Sequence, residues 1–313
     1  MPNRVVVAGV TSLYMAVPVA GFPIAYTPQR FPEWTRAEVS GAACHIADTM
    51  RTLGDETSLC TFVGTDIAGE AISASLRARD LHGDGVIPAP KSSLGVVLVA
   101  PDGRRSGRPY VAAVNMLQYP TDVFKRVIQG ADLAVLTNTA FVRPLLWHAW
   151  SAGVPIAVDV HLISDVNDPY NRPWLEVADI VFCSHERLPC SPRSWVAQVF
   201  ERYPGCEIAA VGAGRDGCLM GLRDGRLIEV AAVAPRGVVS TSGAGDALFA
   251  SFLHGWLATG NPVTALRQAV LHAGWKIGDT FPGAVSLTEP ELARLGECHP
   301  VTATIGRWDV QEP

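Results

Sequence analysis

The sequence predicts an α/β protein: a doubly wound, mostly parallel sheet with a small, discontinuous β piece at its side. Three features carry that expectation. β-Branched runs of strand length alternate with helical patterns over most of the chain; 313 residues are enough to bury a large core; and two stretches, approximately 12–38 and 93–116, interrupt the alternation with turns and strands. An apolar share of 48% against 18% charged residues suits a packed interior and excludes global disorder. Residues 1–313 are read as one domain carrying the two interrupting segments.

Residues 4–9, Arg-Val-Val-Val-Ala-Gly, read as a buried strand ending at Gly9. The proline-bearing stretch up to Trp34 suits loops and short edge strands. From Gly41, the residues Ala42, Ile46, Met50 and Leu53 recur at helical spacing and Gly54 supplies the stop; 57–64 is the next strand. Two strand-like runs then flank Pro101-Asp102-Gly103 with no helix between them. Arg104, Arg105 and Arg108 follow that turn and read as a solvated hairpin tip in preference to an anion contact.

The alternation resumes with strands at 131–138, 154–161, 178–184 and 206–214 and helices at 142–150 and 192–203. A hairpin turns at 223–227, and helices follow over 247–258 and 262–278. From Thr288 a short helix is readable; the last ten residues are either a strand or a loose tail.

Composition removes several classes of function. A net charge of -5, from 30 acidic and 25 basic residues without a basic run, argues against a nucleic-acid partner. Cys44, Cys60, Cys183, Cys190, Cys206, Cys218 and Cys298 are odd in number and lack Cys-x₂-Cys spacing, so they read as reduced thiols. Cys183, His161 and His185 hold zinc-ligating atoms at a spacing that does not support a zinc site. With neither a signal-peptide pattern nor a bilayer-length apolar run, the expectation is a cytoplasmic protein with no membrane partner.

The segment 238–252, VVSTSGAGDALFASF, holds the most chemistry. Between a strand-like Gly-Val-Val and a helix, Gly243, Ala244 and Gly245 would expose successive amides at a helix N-terminus, which is an anion site. Asp246 either caps the helix electrostatically or takes a proton from a substrate hydroxyl. Residue chemistry leaves both open. There is no P-loop, and no Gly-x-Gly-x-x-Gly follows the first strand, so a nicotinamide-dependent oxidoreductase lacks its fingerprint.

These residues, together with 40–54, the Gly64-x-Asp66-x-x-Gly69 stretch, the Pro-Asp-Gly hairpin and the glycines after 206–211, resemble the ribokinase-like, PfkB-type family of sugar and nucleoside kinases. The resemblance spans nearly the whole chain. It implies a ribokinase-like fold with a β lid and ATP-dependent phosphorylation of a primary hydroxyl on a small sugar, polyol or ribonucleoside. Carried over by motif, Asp246 would be the base, and the amides from Gly243, Ala244 and Gly245 to Asp246 would stabilise the transferred phosphoryl. Gly212, Gly214 and Gly217 would border ATP, with His272 on the adenine-side helix.

The same resemblance places Tyr14, Gly41 and His45 at the substrate, and Asp159 with Glu186 at Mg²⁺ through water. Several positions depart from the family. Tyr14 stands where an acid grips hydroxyls, and His45 where asparagine is usual; Ser184 and Arg187 replace the asparagine and glutamate of the metal–phosphate motif. Ser240 replaces an aspartate associated with a monovalent cation, which leaves that cofactor open. Phe22, Tyr26, Phe31 and Trp34 either stack a base or pack the lid against itself. The lid's sheet offers a surface for a homodimer. The altered positions also keep a second function in play: a non-catalytic nucleotide- or sugar-binding regulator that retains the kinase fold.

Overall fold

A central strand buried on both faces organises the molecule. In the computed structural model, which describes residues 2–102, 104–279 and 286–309, this is β1 (Arg4–Ala8), whose Val5, Val6, Val7 and Ala8 are all buried. The first half continues through β2 (Ser12–Pro18), β3 (Arg36–Ser40), α1 (Ala42–Leu53), β4 (Glu56–Gly64), α2 (Ile67–Ala78), β5 (Val86–Ala89), β6 (Ser93–Val99), β7 (Arg105–Tyr110), α3 (Ala112–Asn115) and α4 (Thr121–Val127). The second half comprises β8 (Leu133–Leu136), α5 (Arg143–Ser151), β9 (Ile156–Leu162), α6 (Arg172–Leu175), β10 (Ile180–Ser184), α7 (Pro192–Arg202), β11 (Ile208–Gly212), β12 (Cys218–Leu222), β13 (Arg226–Val230), α8 (Ala244–Thr259), α9 (Pro262–Lys276), α10 (Glu289–Cys298) and β14 (Ala303–Arg307).

Ten strands form the main sheet in the order β14-β13-β12-β11-β10-β9-β8-β1-β4-β5. It is parallel from β5 through β11 and antiparallel from β11 to the β14 edge. Because β1 lies between β4 and β8, the chain winds outward in both directions, and the crevice at that reversal is where such sheets place ligands. One core joins α1, α2, α8 and α9 to one sheet face, and a second joins α4, α5 and α7 to the other.

The smaller sheet, β3-β2-β6-β7, is assembled from separated stretches, which makes the lid discontinuous. Its register puts Tyr14 beside Gly95 and Pro109, and Pro18 beside Val99 and Arg105. Since alternate residues share a face, Tyr14 and Arg105 emerge on the same side. Met15, Leu94, Val96 and Tyr110 emerge on the opposite one, and all four are exposed.

Three local expectations need correction or completion. Residues 237–239 do not form a strand: the amides of Val239 and Ser240 donate to the carbonyl of Ile277, while the sheet has already ended this excursion at Val230. Helix α2 and strand β5 have no counterpart in the sequence reading, because α2 buries only Gly69, Ile72 and Leu76 and its alanines and serines give a thin apolar stripe. The C-terminal stretch resolves in favour of a strand over Ala303–Arg307, with 310–313 outside the described residues, as is Gly103 of the hairpin turn.

Candidate active site

Helix α8 is apolar almost all round because it lies between the sheet and helices α1 and α9. Phe249 and Phe252 pack against Phe182 of β10, with ring centroids 4.9 and 5.2 Å apart, and fix where the helix begins. Its N-cap, Gly243, has φ 72, a left-handed conformation that a side chain would strain. The Ala244 amide reaches the Thr241 carbonyl at 3.4 Å, and that of Ala247 reaches Gly243 at 3.0 Å. Between them, the amides of Gly245 and Asp246 have no acceptor among the described residues. A Cβ at Gly245 would meet nothing within 4 Å, so packing does not require this glycine.

Asp246 is half-buried in the first turn of α8. Burial pushes its carboxyl up to about 6; His161, Lys276 and Arg105 favour the ionised form, and Asp159 opposes it. Asp159 and His161 come from the C-terminal end of β9, and one ligand-type atom from each, with one from Asp246, lie within 4.8 Å of one another. The His161 amide donates to Asp159 at 2.8 Å and its ring Nδ1 lies 3.3 Å from the other carboxylate oxygen. Burial disfavours the imidazolium, but Asp159 and then Asp246 outweigh it and raise His161 to about 9. His161 also has φ 54, uncommon for a residue with a side chain.

The oxygen-rich carboxylates suit Mg²⁺ better than a soft metal, and because both oxygens of Asp159 already face His161, a bond through water fits this geometry. Glu186 is exposed just beyond β10, in the short turn capped by Ser184, and does not join the cluster. Cys183 is buried in β10 and His185 Nδ1 donates to the Gly212 carbonyl at 2.9 Å, so neither joins His161 in a zinc site.

On the expected nucleotide side, Gly212 closes β11, and Gly214 lies against the His185 ring. A Cβ at Gly217 would come 2.0 Å from the Val230 carbonyl, so close approach of β13 accounts for that glycine. His272 departs from the expectation of an adenine contact. It is fully buried in α9, its Nδ1 donates to Ser251 at 2.7 Å and its Nε2 accepts from the Leu287 amide at 3.1 Å. With both nitrogens committed, it is a core histidine.

On the acceptor side, Gly41 caps α1 against the Val10 carbonyl, and buried His45 pairs its Nε2 with Ser40 at 2.9 Å. The Tyr14 ring lies across Gly95, where any side chain would collide with it. Tyr26 and Phe31 are exposed, so neither packs the lid against itself. Asp66 caps α2 through the Gly69 amide and also accepts from the Ser92 amide and hydroxyl, which gives the Gly-x-Asp-x-x-Gly stretch a structural purpose. The hairpin arginines, read together as a solvated tip, divide in the structure. Arg104 pairs with Asp102 at the surface, whereas Arg105 reaches across to the Ser242 hydroxyl beside the glycine turn.

A family model for pfkB family carbohydrate kinases matches residues 4–288. The chain belongs to the pfkB carbohydrate kinase family. A family relative, an ATP-dependent ribose-1-phosphate kinase of Halopiger xanaduensis, is 27% identical over 243 residues, 75% of this chain and 78% of its own. A microbiome-derived acarbose kinase superposes with a TM-score of 0.84 at 22% identity, covering 94% of this chain and 99% of that one. Arabidopsis thaliana ribokinase, solved with ribose and ATP, gives a TM-score of 0.79 at 19% identity over 94% of this chain and 99% of its own. These structural likenesses show the shared pfkB fold; the family itself comprises ATP-dependent kinases of small sugar and nucleoside acceptors.

Proposed function

We propose that this pfkB-family protein transfers the γ-phosphoryl group of ATP to a primary hydroxyl of a small sugar, polyol or ribonucleoside. The observation that carries the reading is Asp246: a carboxyl raised to about 6, beside a glycine turn in which Gly245 borders open space. A base of that strength is largely ionised at neutral pH and still able to accept a proton. The acceptor hydroxyl gives its proton to Asp246 as its oxygen bonds to the γ-phosphorus, and the bond to the bridging oxygen breaks with its electron pair leaving on ADP. Amides from Gly243 to Asp246 would face the charge on the transferred group. Asp159, through water, would hold Mg²⁺, which when bound offsets charge on the phosphate oxygens.

Tyr14, in place of an acid, supports an acceptor held by one hydroxyl contact and by its face, and the name of the Halopiger relative supports a ribose-sized one. The exposed outer face of the lid, with Met15, Leu94 and Val96, supports a homodimer through that sheet. A cytoplasmic location belongs to the same proposal, supported by seven free cysteines.

The test is an ATP-consumption screen over sugars, polyols and nucleosides, with identification of the phosphorylated product. With the acceptor so found, Asp246→Asn is expected to keep ATP binding and slow transfer by about 10²- to 10⁴-fold. Equal turnover by the two proteins would remove Asp246 from its role. ATP binding without transfer to any acceptor would leave the non-catalytic binding protein instead.

A further inference from the structure

We infer that Arg105 is the lid's contact to the group being transferred: its guanidinium binds the oxygens of the terminal phosphate of ATP across the glycine turn. The inference rests on the kinase reading above. Arg105 opens β7, and its side chain donates to the hydroxyl of Ser242, the residue before Gly243. It is also among the cations that favour ionised Asp246, so the lid's charge is felt at the candidate base. Register brings it out on the same face as Tyr14, beside Val99 and Pro18 across the sheet and Gly107 along its own strand, none of which offers a polar side chain to hold the guanidinium.

The other hairpin arginines are used differently. Arg104 pairs with Asp102 at 2.7 Å, and Arg108 with the Ser106 hydroxyl at 2.6 Å. Arg105 forms no ion pair with a carboxylate among the described residues. A permanently charged, forked donor whose polar partner is one neutral hydroxyl, at the lip of a turn with open amides, matches a phosphate with several free oxygens. It gains and loses no proton in the reaction. The contact to Ser242, next to the glycine turn, favours the nucleotide's terminal phosphate over the acceptor, to which the family resemblance assigns Tyr14, Gly41 and His45 instead.

Titration calorimetry with Mg·AMP-PNP and Mg·ADP tests this without an identified acceptor. Arg105→Met is expected to bind AMP-PNP about ten- to a hundredfold more weakly than wild type and ADP within about twofold. Arg105→Lys, which keeps the charge and loses the fork, should fall between. An unchanged unfolding midpoint is expected, since Arg105 is exposed. Unchanged AMP-PNP affinity, or equal weakening of both nucleotides, would overturn the inference while leaving the kinase reading in place. Failure of the wild type to bind either nucleotide would overturn that reading, and the inference with it.

Discussion

At Asp246, a carboxyl held at about 6 has to lose its proton for the proposed reaction, so the ligand-free protein carries an ionised group where burial disfavours it. Its ordinary value is 3.8, so the folded state holds the proton more tightly than the unfolded chain does. The stability this gives is complete below 3.8 and is lost as pH rises through about 6. At pH above 7, Asp246→Asn should therefore unfold later than wild type, by about 1 kcal/mol once solvent screening of a half-buried group is allowed for. The rate profile carries the complementary signature: kcat/KM should fall as pH drops below about 6. His161→Asn, which tolerates the left-handed backbone and removes a cation, should move that acid limb upward by about half a unit or more. A limb that stays in place would show that His161 does not reach Asp246. Asp246 was legible in the sequence because its amides and its helix are its immediate neighbours. Arg105 was not, since its partner lies 137 residues away and nothing local sets it apart from Arg104.

Among the elements, the turn into α8 and the turn after β11 use glycine for opposite reasons. Gly245 borders open space, so Gly245→Ala should leave stability unchanged or raise it by about 0.5 kcal/mol while slowing transfer at least about tenfold. Gly217→Ala would drive a Cβ into the Val230 carbonyl and should destabilise by about 2 kcal/mol or more. Denaturant midpoints alongside initial rates separate the two; equal stability loss would assign both glycines to packing. The flanking helices carry an acid sensitivity of their own. Burial, with Lys276 assisting, holds His45 of α1 and His272 of α9 down to about 3. Below pH 6.5 the unfolded chain takes up protons that these sites refuse, so stability should fall with pH across that window, by up to about 1.4 kcal/mol per unit for each histidine. His272→Gln should flatten the slope of the denaturant midpoint against pH. Helices α1, α8 and α9 were legible from apolar spacing, and the end of α1 from Gly54. Helix α2 was not, because only Gly69, Ile72 and Leu76 are buried and the apolar stripe they make is too thin to read as helical spacing.

For the whole molecule, the exposed outer face of the lid predicts self-association: sedimentation should show a dimer that Val96→Glu shifts toward monomer, with an unchanged state in both proteins counting against a lid interface. The family resemblance, the alternation of strands and helices and the interrupted lid segments were all readable along the chain, because each depends on short runs of residue type and on local turn chemistry. Strand order was not. That β1 sits inside the sheet, with β4 on one side and β8 on the other, is decided by which buried faces find each other, and such a reversal is where doubly wound sheets commonly place ligands. So the sequence by itself determined the class of fold, the glycine turn and its acid, whose chemistry is carried by neighbours in the chain. Only the tertiary structure decided that Asp159, His161 and Asp246 converge, that His272 belongs to the core and that Arg105 faces the turn. Those facts depend on burial and charge meeting across long separations, and a one-dimensional pattern does not record them.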